Sequence, residues 1–117
     1  MNSMLRNLPI LTAMLVLGLL IQPAHAFPAK DLMEKFSSLE RAMYFKALVD
    51  MASYHAAIDQ NHERANCINE WFFDPDTKEA VAFVEKAFER FPDTHAARTV
   101  VSIINLKCGK PKNWPTN

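Results

Sequence analysis

Beyond residue 26, three histidines, two cysteines and three methionines are the side chains from which a reactive or metal-binding site would be built. His55 falls on the apolar stripe of a helical stretch, where a packed, hydrogen-bonded histidine is expected rather than a base. His62 stands beside Glu63 in a polar stretch and is expected to be solvated. His95 lies in the first turn of a helix, where positive charge opposes the dipole. Met33, Met43 and Met51 are thioethers that could take copper, yet Met43 and Met51 at helical spacing are expected in the core. Cys67 and Cys108 fall short of the four closely spaced ligands of a structural zinc site. No G-x-S-x-G nucleophile motif is present, and the carboxylates fall mostly on solvated helix faces. These residue types and spacings predict a binding protein rather than an enzyme, with no catalytic residue, no metal and no cofactor.

The elements that must position these residues follow an N-terminal segment of a different kind. Met1–Asn7 carries one charge, Arg6. Leu8–Ile21 is almost wholly apolar, and Ala24-His25-Ala26 places small residues at both positions a signal peptidase reads. The run is shorter than the roughly 20 apolar residues of a spanning helix. Residues 1–26 are therefore expected to be a cleaved signal peptide that delivers the chain to the periplasm, leaving no stable membrane insertion. No cysteine marks the cleavage point for lipid attachment. The remaining chain of about 90 residues suffices for one modest core. Over the whole chain 13 basic and 13 acidic residues balance, which implies neither a nucleic acid nor an acidic membrane surface as partner.

With two glycines in the whole chain, few positions suit tight hairpins, and the sequence predicts an all-α domain over residues 27–110: a small bundle of about four helices with an extended tail at 111–117. Asp31–Phe36 is a short amphipathic piece. Ser37-Ser38-Leu39-Glu40 has the form of a capping box. From Ser37 to about Gln60, Tyr44, Leu48, Met51, His55 and Ile58 make one stripe, and Phe45, Val49, Ala52 and Ala56 a second beside it. An apolar arc this wide predicts a central helix covered on two sides. Asn61–Phe73 reads as the longest irregular stretch. Asp74 as N-cap and Pro75 at the first position open the next helix, with Ala80, Val81, Phe83, Val84, Ala87, Phe88 and Phe91 facing inward. Pro92 stops it, Asp93 or Thr94 caps the last helix, and Gly109 ends it in the left-handed region.

A connection as short as Phe91–Thr94 makes the last two helices an antiparallel pair. The start of one then lies beside the end of the other, which brings Cys67 to Cys108. A disulfide is expected in an oxidising compartment. Closing a loop of about 40 residues contributes roughly 4 kcal/mol in the chain-entropy model.

The order Tyr44-Phe45-Lys46-Ala47-Leu48-Val49-Asp50, a polar stretch with Cys67-Ile68, a capped amphipathic helix, Phe91-Pro92-Asp93-Thr94, an Ala- and Val-rich helix and a terminal Cys108 resembles the Tai/Rap-type periplasmic immunity proteins of type VI secretion systems. The resemblance spans about the mature length. Where that family reads Tyr-x-x-Gly, Ala47 stands here in place of the glycine. The resemblance implies an all-helical fold with a disulfide, no catalysis, and tight binding of a cell-wall-degrading effector toxin in the periplasm.

The expected partner-binding residues are Glu70, Trp71, Phe72, Phe73, Asp74 and Asp76. Aromatic anchors ringed by charge are typical of binding hot spots. The alternative is that at least two of the three aromatics pack onto the bundle. Two other functions remain open, a small helical acid-stress chaperone, whose histidines and carboxylates would titrate, and a small-ligand carrier. A homodimer is compatible with each.

Overall fold

The computed structural model describes residues 27–115. The signal-peptide assignment for residues 1–26 and the last two tail residues lie outside them. Among the described residues the chain folds into five helices: α1 (Ala29–Lys35), α2 (Ser38–Ile58), α3 (His62–Phe73), α4 (Thr77–Arg90) and α5 (Ala96–Cys108). The all-α bundle expected from the sequence is what forms, with five helices rather than about four.

The difference is α3. Three asparagines and a charged start give 61–73 the composition of a loop. Two local devices make it helical instead. Asn61 is its N-cap, the side-chain oxygen accepting from the Arg64 N–H at 3.2 Å. The end of α2 is closed by paired bonds, Asn61 N–H to the Ala56 carbonyl at 2.8 Å and Gln60 N–H to the Ala57 carbonyl at 3.0 Å. That is a Schellman motif, with Gln60 in the left-handed region at φ 56° where glycine is usual. The chain thus turns from α2 into α3 within three residues, and Ala65, Ile68 and Phe72, spaced three and four apart, are buried.

The capping box at α2 forms as its spacing predicts. The Glu40 N–H donates to the Ser37 hydroxyl, and the Ser37 N–H donates to the Glu40 carboxylate at 2.7 Å. These bonds hold the Glu40 carboxyl below its ordinary pKa. Two other expected caps move. α4 is capped by Asp76, which accepts from the Lys78 N–H at 2.9 Å, so the helix starts at Thr77 and not at Pro75; the Asp74–Pro75 bond is cis. At α5 neither Asp93 nor Thr94 caps. The N-cap is His95, whose side chain makes no capping bond, and the first orphan amide, Ala96 N–H, donates instead to the Phe27 carbonyl at 2.8 Å. Ala29 N–H to the Thr94 carbonyl and Lys30 N–H to the Pro92 carbonyl complete this clasp between the N-terminal segment and the α4–α5 connection. A backbone 69 residues away in sequence does the work that a local side chain was expected to do. The tail corrects too: Pro111–Trp114 is a turn closed by Trp114 N–H to the Pro111 carbonyl at 3.1 Å, rather than fully extended.

One core unites all five helices. Leu32 of α1, Phe45 and Val49 of α2, Ile68 and Phe72 of α3, Val84 and Phe88 of α4, and Val100 and Ile104 of α5 are fully buried. Phe45 meets Phe88 edge to face at 5.2 Å between ring centroids, an arrangement worth more than its area alone. Beside it Arg41 links α2 to α4, its Nε 2.9 Å from Glu85 Oε1 while its Nη1 donates to the Phe36 carbonyl.

Candidate binding surfaces

Cys67 and Cys108 are disulfide-bonded, with Cα atoms 5.6 Å apart and a separation of 41 positions in sequence. The bond joins the middle of α3 to the last residue of α5. A second tie, invisible in the sequence, lies one turn away. Arg64 is buried, and its guanidinium donates to the Gly109 carbonyl at 2.9 Å and to Asn105 Oδ1 at 2.8 Å. Burial lowers its pKa, yet a guanidinium stays protonated throughout the physiological range. Its charge rests at the negative end of the α5 dipole, and carbonyl oxygens, not a carboxylate, satisfy its donors.

The residues expected to contact a partner lie at the far end of α3 and in the α3–α4 connection, and the structure sorts them. Phe72 is buried in the core against Trp71 and Phe73, at 5.7 and 4.9 Å between centroids, so it is removed from the partner-facing set. Trp71 and Phe73 are half-buried and packed on the core, while Glu70, Asp74 and Asp76 are exposed. Because 61–73 is a helix and not a loop, the aromatics point in different directions. What remains at the surface is a corner with three carboxylates and the outer edges of two rings, beginning at Glu70 one turn beyond Cys67 and ending at Asp76 in the connection to α4.

The three histidines are not brought together. His55 is exposed rather than packed on the core, His62 opens α3 and His95 opens α5, both exposed. Among the described residues no three His, Cys, Asp or Glu side chains form a metal-binding group. The half-buried Tyr44 has its phenol pKa raised by burial, which keeps it neutral.

The largest departure from expectation is α2. Its second stripe is covered as predicted, with Phe45, Val49 and Ala56 buried against α3 and α5. The first is covered only at Tyr44 and Leu48. Met51 and Ile58 are more than half exposed, as are Leu39, Met43 and Tyr54, and Ala47 is exposed among them. At 100° per residue these six fall within one third of the helix circumference, opposite the buried face. The signal was in the sequence: the apolar arc of α2 is wider than half its circumference, which asks for two coverings, and the fold supplies one.

On α4 two further inward assignments fail. Phe83 and Phe91 are exposed, and each lies near a cation instead, Lys107 Nζ 4.5 Å from the Phe83 ring and the Arg90 guanidinium 5.7 Å from that of Phe91. Along α5 run two open grooves, one of about 750 Å³ lined by Arg98, Val101, Leu106 and Trp114, the other of about 480 Å³ lined by Phe91, Thr99 and Ile103.

Fold and surface together define a class, an all-helical, disulfide-pinned domain. No protein family, curated protein or solved structure matches the chain. Among the described residues no helix is long and apolar enough to cross a membrane.

Proposed function

We propose that this chain is an exported, non-catalytic binding protein of the periplasm, and that it acts as an immunity protein against a cell-wall-degrading type VI secretion effector. The observation that carries this reading is the covalently pinned corner. The disulfide and Arg64 hold α3 against α5, and α3 ends in the exposed Glu70 and Asp74 beside the edges of Trp71 and Phe73. A surface that is rigid before binding loses little entropy on association, which suits a protein that must block a toxin tightly. In sequence, the order of Tyr44–Asp50, Cys67 and Cys108 resembles that of Tai/Rap-type proteins. An oxidising compartment favours the disulfide, and cleavage after Ala26 would release the chain there.

The test is calorimetry and peptidoglycan hydrolysis with a purified type VI amidase effector. One-to-one binding that stops hydrolysis is the expected result. Reversing charge with Glu70→Lys and Asp74→Lys should weaken the complex at least tenfold, about 1.4 kcal/mol, and leave thermal stability nearly unchanged because both side chains are exposed. Trp71→Ala should lower both, since the ring is shared between core and surface. Hydrolysis that continues unchecked at equimolar protein rejects the immunity reading. A chaperone reading is favoured by the exposed apolar side of α2, and suppression of aggregation of unfolded clients at acid pH would select it.

A further inference from the structure

We propose that the uncovered face of α2 is the interface of a homodimer, in which α2 packs antiparallel against α2 of a second copy about a twofold axis near residues 48 and 49.

The face is self-complementary in register. In an antiparallel pair centred there, Leu39 falls opposite Ile58 of the other copy, Met43 opposite Tyr54, and Ala47 opposite Asp50 and Met51. Each large side chain at one end of the stripe meets a large one from the other end, and the exposed methyl of Ala47 lies beside the axis. A small residue at that point lets two helices approach closely, at the 8–10 Å of ordinary helix packing. Leu39 to Ile58 spans about 28 Å of helix, so the contact runs the length of α2.

Charge fits the same arrangement. By the same 100° count Asp50 falls just inside one edge of the stripe, between Leu39 and Met43, and Lys46, one turn away, lies just outside that edge, both exposed. A twofold axis brings like flanks together, so Lys46 of each copy comes within a turn of Asp50 of the other, giving two ion pairs. Glu40, which also falls within the arc, has its carboxylate folded back into the capping box, so Asp50 is the α2 carboxylate that the interface must pair. The chain has no net charge, so long-range repulsion does not oppose self-association. Five large side chains, each more than half exposed, offer on the order of 600 Å² per copy, against roughly 800 Å² per partner in a standard interface. That area fits a reversible dimer. The acidic corner at the end of α3 lies on other residues, so dimerisation leaves it free and does not depend on the immunity reading.

Sedimentation velocity over a concentration series, on protein isolated from cells with its termini read by intact mass, tests the proposal. A monomer–dimer equilibrium in the micromolar range is expected. Ala47→Arg should shift it at least tenfold toward monomer with the melting temperature of the monomer retained, since the residue touches no core. Lys46→Glu should weaken the dimer, and Lys46→Glu with Asp50→Lys should restore it. A chain that stays monomeric at 100 µM, whether mature or with residues 1–26 retained as a cover for the stripe, overturns the proposal. So does a dimer indifferent to Ala47→Arg, or a monomer that instead sediments with phospholipid vesicles.

Discussion

Arg64 shows how much a single side chain can decide. It is a charged residue in the core with no carboxylate beside it, and its donors end on the Gly109 carbonyl and the Asn105 amide. Removing it deprives the half-buried Asn105 amide and the exposed Gly109 carbonyl of their charged donor and uncovers the joint between α3 and α5. Arg64→Ala should therefore cost about 2–3 kcal/mol, lowering the melting temperature by roughly 10 °C or more in a domain of this size. Arg64→Lys should recover only part of this, because one ammonium cannot span two acceptors as the planar guanidinium does. Thermal unfolding of both variants checks the ordering, and a melting point within two degrees of wild type for Arg64→Ala would show that these bonds do little. Nothing in the sequence marked Arg64, since an arginine amid Asn and Glu reads as solvated. Its burial arises only when the end of α5 arrives beside α3.

Among the elements, the α2–α3 junction is informative because its geometry is built without glycine. Gln60 adopts φ 56°, which costs a residue with a Cβ roughly 1–2 kcal/mol. Part of any gain from glycine there is returned to the more flexible unfolded chain. Gln60→Gly should thus raise stability by about 1 kcal/mol, or a few degrees; a fall in melting temperature would mean the Gln60 side chain contributes contacts that outweigh the strain. The same junction explains why 61–73 reads as irregular. Its helix signals are a cap and an i, i+3, i+7 apolar pattern at Ala65, Ile68 and Phe72, diluted by asparagines. The neighbouring α4 is read with ease, though its first turn starts two residues later than the Asp-Pro pair suggests.

For the whole molecule, the disulfide is the main covalent constraint, closing the chain from the centre of α3 to the end of α5. Cys108→Ser should cost about 2–4 kcal/mol and lower the melting temperature by roughly 10 °C or more; calorimetry of the oxidised wild type against the variant measures it. A reduced wild type should melt with the variant. Unchanged melting on reduction would place the stability in the clasp of Phe27–Lys30 on the α4–α5 connection and in the shared core instead.

What the sequence alone determined is what short-range physics controls. Ser37 and Glu40 start α2, Pro92 separates α4 from α5, and Gly109 at φ 79° closes the last helix, because caps and breakers act within a turn. The pairing of Cys67 with Cys108 was also legible, since a four-residue connection leaves two helices only one way to lie. The tertiary structure decided which faces are covered. The α2 pattern asked for two coverings and could not say that one would be missing. The α3 aromatics could be listed but not divided into the buried Phe72 and the half-exposed Trp71 and Phe73. The cap of α5 came from Phe27, far away in sequence. Periodicity states that an apolar face exists; whether another helix reaches it depends on connection lengths and packing around the entire core, which no local window contains.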